Sequence, residues 1–252
     1  MADAGIAGIG AAERDVLLAL ADDEHLMGQR HTEWTGVAPF IEEDLAFASI
    51  GQDELGHAAM LYELLDDDAD RLAFRRDGAE YRSCWLTEAA CTDWADAIVR
   101  HWMYDELETL RWQGLATSSV APLRAIATRA LAEETYHRRH ATALLDALWG
   151  EPTARQRLRD AAARLAPLAS AMFDEAPGRD DADAAVVGPP LTSMQQAWSQ
   201  VIGTRLGTAA ADATVTVTVT VAQQRRTARS PDFGKMYAQM REVLMLDPTA
   251  QW

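Results

Sequence analysis

The stretches Glu54-Leu-Gly-His57 and Glu134-Thr-Tyr-His137 decide how this 252-residue sequence is interpreted. Each is a Glu-x-x-His motif inside a run of amphipathic sequence, and positions i and i+3 of a helix project from the same face. Each motif therefore directs one carboxylate and one imidazole toward the same neighbour. Two such motifs, with one acid from each of two further helices, are the ligand set of carboxylate-bridged di-iron sites in four-helix bundles.

Spacing locates the two remaining acids. Glu24 lies thirty residues before Glu54, and Asp105 lies twenty-nine residues before Glu134. Near-equal spacing is what two antiparallel helix pairs require if all their ligands are to meet at one level of a bundle. We therefore interpret Glu24 and Asp105 as the acids contributed by the first and third helices.

Neighbouring residues leave alternatives open. Glu108 lies on the same helix face as Asp105, one turn later, whereas Glu106 points about 100° away. His25 and His101 lie beside the ligand faces, but we interpret them as core or surface histidines.

Two acids directly precede the motifs and could orient their histidines. A histidine that binds a metal usually donates its far N–H to a carboxylate or carbonyl. We hypothesise that Asp53 and Glu133 have this role. The alternative is that both are ordinary solvated acids on helix surfaces.

The predicted centre contains two iron ions, with manganese as an alternative metal. Four carboxylates buried together would be very costly without cations to compensate them. Carboxylate and imidazole ligands suit iron or manganese. In the general pattern of such sites Glu54 and Glu134 bridge the metals as the catalytic pair. The six predicted metal ligands are Glu24, Glu54, His57, Asp105, Glu134 and His137.

The pattern predicts one all-α, ferritin-like domain over residues 1–252. Residues 1–150 form its metal-binding four-helix core, and residues 151–252 contribute additional C-terminal helices. Alternating Thr and Val over 214–221 predict a short β arm. The predicted helices cover residues 11–31, 41–65, 88–113, 122–148, 153–173, 192–206 and 231–246, with an irregular crossover at 69–86 and a loop at 175–190.

Composition limits the classes of partner. The chain has 39 acidic and 23 basic residues, a formal net charge of −16, which disfavours nucleic acid and anionic membranes. No window reaches the ~20 apolar residues of a membrane span, so we expect a soluble cytoplasmic protein. Neither a dinucleotide fingerprint nor a cysteine cluster is present, so electrons would come from a separate reductase.

Several phrases resemble the phenylacetyl-CoA epoxidase family of bacterial multicomponent monooxygenases. The stretches 21–30, with Ala21-Asp-Asp-Glu, and 240–252, which ends in Trp252, are similar to the C component of that family. That component is generally a scaffold with a degenerate metal site. The stretches 52–57 and 133–137 are instead similar to the catalytic A component, whose ligand on the third helix is an Asp at the spacing of Asp105.

The resemblance implies a di-iron monooxygenase that uses O2 to form an epoxide or hydroxyl on an aromatic acyl-CoA. It also implies assembly as a homo-oligomer or with related subunits. A structural subunit that retains metal ligands is the main alternative. A ferritin- or rubrerythrin-like iron handler is another, although the chain has only two cysteines, too few for a rubredoxin-type set.

Overall fold

A computed structural model describes residues 8–66, 68–206 and 226–247, which are mostly helical and include no β-strand. The all-α prediction is confirmed for this part of the chain, and the predicted β arm at 214–221 lies outside it. The α-helices are α1 (Ala11–Thr32), α2 (Ile41–Leu65), α3 (Trp85–Glu88), α4 (Trp94–Leu115), α5 (Ala121–Trp149), α6 (Pro152–Ala169), α7 (Ala184–Val187), α8 (Gln195–Leu206), α9 (Phe233–Met240) and α10 (Glu242–Leu246).

Helices α1, α2, α4 and α5 form a four-helix bundle. The helices of the pair α1 and α2 pack along each other, as do those of the pair α4 and α5. In the first pair His31 contacts Glu54 and Asp22 contacts Tyr62, so the two helices are antiparallel. A long crossover, described over residues 68–93, joins the pairs. One long crossover in a four-helix bundle is consistent with the predicted ferritin-like connection.

Several predicted segments differ in detail from the structure. The predicted helix 153–173 is α-helical to Ala169 and continues as a 3-10 turn (Ser170–Phe173), and the predicted helix 192–206 begins at Gln195. The third helix begins at Trp94 because the Asp93 side chain accepts from the Asp96 backbone N–H at 3.0 Å and caps the helix. The predicted loop at 175–190 contains a 3-10 turn (Pro177–Asp181) and α7. The predicted helix 231–246 is two helices, α9 and α10, interrupted at Arg241.

Helix α1 is buried from Ala19 to Gly28 and carries three consecutive buried acids there. Asp22, Asp23 and Glu24 have no solvent exposure. The crossover packs Arg76 against Asp22, which also accepts from the Arg82 backbone N–H at 2.6 Å. Buried charges are costly unless they are paired, so this helix depends on cations supplied by distant segments. In the described part of the chain, no helix combines the length and apolar composition needed to cross a bilayer.

Helices α1 and α2 approach closely where two glycines meet. A Cβ at Gly51 would lie 3.0 Å from the carbonyl oxygen of Gly28 and 3.1 Å from Cβ of His31. A Cβ at Gly28 would lie 2.9 Å from the carbonyl oxygen of Gly51. The contact therefore fixes how near the Glu24 face of α1 comes to the Glu54 face of α2.

Replacing Gly51 by Ala should lower the free energy of unfolding by about 1–3 kcal/mol, because the methyl group overpacks the helix contact. Gly56 lies on the same helix, and a Cβ there would meet nothing within 4 Å. Gly56→Ala should instead raise the free energy of unfolding by up to about 1 kcal/mol through helix propensity. Urea unfolding followed by circular dichroism measures both values. Similar effects of the two substitutions would contradict the close contact.

Candidate metal centre

Three buried side chains from three helices converge inside the bundle. Glu24 of α1, His57 of α2 and Glu134 of α5 each offer one ligand atom, and these atoms all lie within 4.8 Å of one another. Nδ1 of His57 is 2.8 Å from Oε2 of Glu24. The structure thus brings three of the six predicted ligands into one group that could hold a metal ion.

The other three predicted ligands, Glu54, Asp105 and His137, are also buried. Nδ1 of His137 is 3.1 Å from Oε1 of Glu134, and Oε2 of Glu54 is 2.6 Å from Nδ1 of His31. These three ligands do not join the compact group of three among the residues that the structure describes. They lie around it.

The pKa of Glu54 shows that the predicted carboxylates act on one another. Burial raises this pKa well above its ordinary value, and the charges of Glu24, Asp105 and Glu134 raise it further, while His137 opposes the shift. Carboxylates that raise each other's pKa compete for a limited positive charge. A cation placed among them would relieve this repulsion.

Unpartnered oxygens test whether these residues fit a metal. Both carboxylate oxygens of Asp105 and Oε2 of Glu134 are buried and have no hydrogen-bond partner in the described part of the chain. Burial is the main cause that raises the pKa of Asp105 to about 8 and that of Glu134 to about 7. Buried oxygens without donors are costly unless a proton or cation neutralises them. Oxygen and imidazole donors of this kind fit iron or manganese.

The two predicted orienting acids contact the outward nitrogens of the motif histidines. Nε2 of His57 is 2.8 Å from Oε2 of Glu133, and Nε2 of His137 is 3.2 Å from Oδ2 of Asp53. The contacts are crossed, because each acid pairs with the histidine of the other motif. They link α2 to α5 at the level of the ligands. The orienting roles of Asp53 and Glu133 stay a prediction that this geometry supports.

The acids that contact the two motif histidines raise the pKa of both imidazoles. Burial alone would lower the pKa of each imidazole. Hydrogen bonds with Glu24 and Glu133 outweigh burial and raise the pKa of His57. Contacts with Asp53 and Glu134 likewise raise the pKa of His137 to about 11. A metal ion bound at Nδ1 would therefore displace a proton from each imidazole.

Replacing Glu133 by Gln should weaken metal binding about 10- to 100-fold, because the amide accepts less strongly from Nε2–H of His57. Glu63 is an exposed acid on α2, so Glu63→Gln makes the same change of charge away from the centre. Competition with a chelating dye measures both affinities. Equal losses in the two variants would show that net charge, and not the contact with His57, is responsible.

Glu108 and Glu106, the alternatives to Asp105 as a ligand, each lie beside an arginine. Oε1 of Glu108 is 2.7 Å from Nη1 of Arg111, so this acid already has a cation. Oε1 of Glu106 is 3.9 Å from Nε of Arg138. Because Asp105 has both oxygens unpartnered among the residues described, the geometry favours it over its two neighbours as a ligand.

Three further polar side chains, those of His31, His101 and Tyr104, contact the carboxylates, although the sequence did not predict these contacts. His31 follows Glu24 by seven positions and His101 precedes Asp105 by four, so the ligand-bearing stripes contained the signal. His101 is a buried histidine, as one interpretation held, but it is directed at a predicted ligand. The contacts are His31 Nδ1 with Glu54 Oε2 at 2.6 Å, His101 Nδ1 with Asp105 Oδ1 at 3.2 Å, and Tyr104 Oη donating to Glu24 Oε1 at 2.8 Å.

Comparison with known proteins identifies the family. The family model described as "Phenylacetic acid catabolic protein" matches residues 7–252. The chain is also similar to the C component of the 1,2-phenylacetyl-CoA epoxidase of Escherichia coli (strain K12). The two are 29% identical over 245 residues, which cover 93% of this chain and 97% of that protein. These findings confirm the resemblance seen in the sequence, and the chain belongs to the phenylacetic acid catabolic protein family.

Proposed function

We propose that this chain is a di-iron monooxygenase component acting in phenylacetate catabolism. Its substrate would be an aromatic acyl-CoA, and its product a ring epoxide or hydroxylated ring. The observation that carries this proposal is the group of buried carboxylates and histidines, in which oxygens of Asp105 and Glu134 have no hydrogen-bond partner among the residues that the structure describes. A scaffold that binds no metal would have to neutralise this buried negative charge with protons on the carboxyl groups and on the motif histidines.

The reaction requires O2 and two electrons. One oxygen atom of O2 enters the substrate, and the other leaves as water after taking up two protons and two electrons. A separate reductase would supply the electrons. A bound iron pair would supply the reductive activation of O2, and manganese is the alternative metal for the same donors.

The residues of this chain would hold and orient that pair. Glu54 and Glu134 are proposed as the bridging carboxylates, and the other four predicted ligands as terminal. Asp53 and Glu133 would fix the imidazole orientations through the crossed contacts. Because the ligands have almost no exposure, the bundle would exclude bulk water from the reacting atoms.

One observation favours a second function. The relative that is 29% identical over nearly its whole length is the C component of its epoxidase, and the resemblance of this sequence to that component implies a scaffold. This chain would then be a structural subunit that binds metal without catalysis, and it would assemble with related subunits. Metal bound only in the folded state would stabilise it by mass action.

Reactivity with oxygen separates the two functions. Purified protein would be loaded with ⁵⁷Fe, counted by mass spectrometry and examined by Mössbauer spectroscopy. It would then be reduced and mixed with ¹⁸O2 and phenylacetyl-CoA, alone and with the reductase and the other subunits. Two coupled irons and ¹⁸O in the product are expected. Iron that binds but does not react with O2 would support the structural function, and the absence of bound iron would contradict both metal-binding functions.

A further inference from the structure

The two motif histidines share one pattern of contacts. Each directs Nδ1 inward to a predicted carboxylate ligand, and each directs Nε2 outward to an acid. His57 lies between Glu24 and Glu133 in this way. His137 lies between Glu134 and Asp53. An imidazole held on its far side presents its near nitrogen to a metal in a fixed direction.

His101 of α4 has the same pattern although it belongs to no motif. Its Nδ1 is directed inward and lies 3.2 Å from Oδ1 of Asp105. Its Nε2 is directed outward and lies 3.4 Å from Nδ1 of His140. His140 in turn places Nε2 2.9 Å from Oε2 of Glu43. A histidine and an acid therefore hold the far side of His101, as a single acid does for each motif histidine.

The inward atoms of this pair remain unsatisfied. Nδ1 of His101 and both carboxylate oxygens of Asp105 are buried without a hydrogen-bond partner in the part of the chain that the structure describes. The two residues are close but lack the alignment that a hydrogen bond requires. Two unsatisfied ligand-type groups on adjacent turns of one helix are explained together if both contact the same ion.

Two other buried histidines lack the complete pattern. His31 contacts Glu54 through Nδ1, but its Nε2 has no partner among the described residues. His25 turns away from the carboxylates, where its Nδ1 lies 3.4 Å from the hydroxyl of Tyr62 and its ring packs edge-on against Phe74. Burial of a histidine in this bundle is therefore not sufficient to produce the contacts of His101.

We propose that Nδ1 of His101 is a third imidazole ligand, bound to the metal ion that also takes Asp105. This inference rests on the proposed metal pair and adds a seventh protein ligand to the six predicted from the sequence. The two metal positions are then unequal, because one of them gains a nitrogen donor. A position richer in imidazole binds ions such as Co²⁺ and Zn²⁺ more readily than a position dominated by carboxylates.

The first test needs no substitution. Extended X-ray absorption fine structure of the iron-loaded wild-type protein counts imidazole ligands by their multiple-scattering signals. Three imidazoles per two irons are expected. Two imidazoles per two irons would overturn the inference and leave the proposed function standing, whereas failure of the wild-type protein to bind two irons would remove the proposed function itself.

The second test compares His101→Gln with His25→Gln, a matched change of a buried histidine outside the centre. Circular dichroism and gel filtration check that both variants fold. His101→Gln should lose one imidazole per two irons, change the Mössbauer parameters of one iron, and weaken binding of one Co²⁺ ion about tenfold or more. His25→Gln should retain the wild-type values. Wild-type spectra and affinities in folded His101→Gln would overturn the inference.

Discussion

Replacing Glu134 by Gln is expected to abolish tight binding of at least one metal ion, with an affinity loss of more than about 100-fold. Loss of an outer partner costs up to about 100-fold, and a direct ligand contributes more. Glu134 belongs to the group whose ligand atoms lie within 4.8 Å, and its Oε1 also contacts His137 at 3.1 Å. Glutamine keeps the shape of the side chain but removes its negative charge.

The same substitution should stabilise the metal-free protein at neutral and alkaline pH. Burial is the largest cause that raises the pKa of Glu134 from 4.5 to about 7 in the folded chain. The folded state then binds this proton more tightly than the unfolded state. The free energy of unfolding therefore falls as pH rises through this window, and the penalty is fully present above pH 7. Gln does not titrate, so the variant should gain on the order of 1–3 kcal/mol at pH 8.

Metal titration and urea unfolding of the metal-free proteins measure these opposite effects. The stability gain should shrink as pH is lowered from 8 to 5.5, because the wild-type carboxyl group then carries a proton. The Glu63→Gln variant, changed at an exposed acid of α2, should show neither effect. Unaltered metal affinity in Glu134→Gln would exclude Glu134 from the ligands, whatever happens to stability.

The sequence predicts the helices that carry the two Glu-x-x-His motifs because the spacing of the ligands along the chain is enough to place them on one helix face and at one level. The i and i+3 spacing of Glu54 and His57 fixes a shared helix face, and the matched spacing of Glu24 and Asp105 fixes the level at which the helices meet. These relations require only helix geometry. The all-α class and the inward position of the four predicted acid ligands, which are buried in the structure, followed from them.

The remaining features depend on pairings that spacing does not encode. Asp53 faces His137, not the histidine of its own motif, since the relative rotation of α2 and α5 decides that contact. Arg226 reaches Asp23 across 203 positions in the sequence. His101 and Asp105 are four residues apart on one helix, whereas the carboxylate beside His31, Glu54, becomes apparent only when α1 and α2 are docked.

Removing the charge of Asp23 is the second substitution with a large expected effect, because Asp23 pairs with the buried Arg111 and Arg226. Asp23 has no solvent exposure. Its Oδ2 accepts from Nη1 of Arg111 at 2.9 Å and from Nη1 of Arg226 at 2.7 Å, and its Oδ1 accepts from the backbone N–H of Cys84 at 2.7 Å. Burial alone would raise the pKa of Asp23, but the two guanidinium groups outweigh it and hold the pKa below its ordinary value.

Asp23→Asn should therefore lower the free energy of unfolding by about 3–5 kcal/mol, because it leaves two buried guanidinium groups without their shared anion. The folded-state pKa of Asp23 is depressed, so its contribution is complete above the unfolded pKa near 3.8 and is lost only as pH falls below that value. Measurements at pH 7 thus report the whole effect. Asp160 is an exposed acid of α6, and Asp160→Asn should change stability by no more than about 0.5 kcal/mol.

The cluster of Asp23, Arg111 and Arg226 also links the stability of the fold to metal binding at the candidate centre. Arg111 lies between Asp23 and Glu108, with its Nη1 2.7 Å from Oε1 of Glu108. Burial raises the pKa of Glu108, and the nearby charge of Glu24 raises it further, while Arg111 opposes the shift. In the Asp23→Asn variant, Arg111 would lose its ion pair with residue 23 and keep the one with Glu108. The guanidinium group of Arg111 would then shift relative to Glu24. Asp23→Asn should therefore weaken metal binding in addition to lowering the urea midpoint. If the free energy of unfolding of folded Asp23→Asn lay within about 1 kcal/mol of the wild-type value, Arg111 and Arg226 would have to be solvated or paired elsewhere. The buried cluster would then not hold α1 in place.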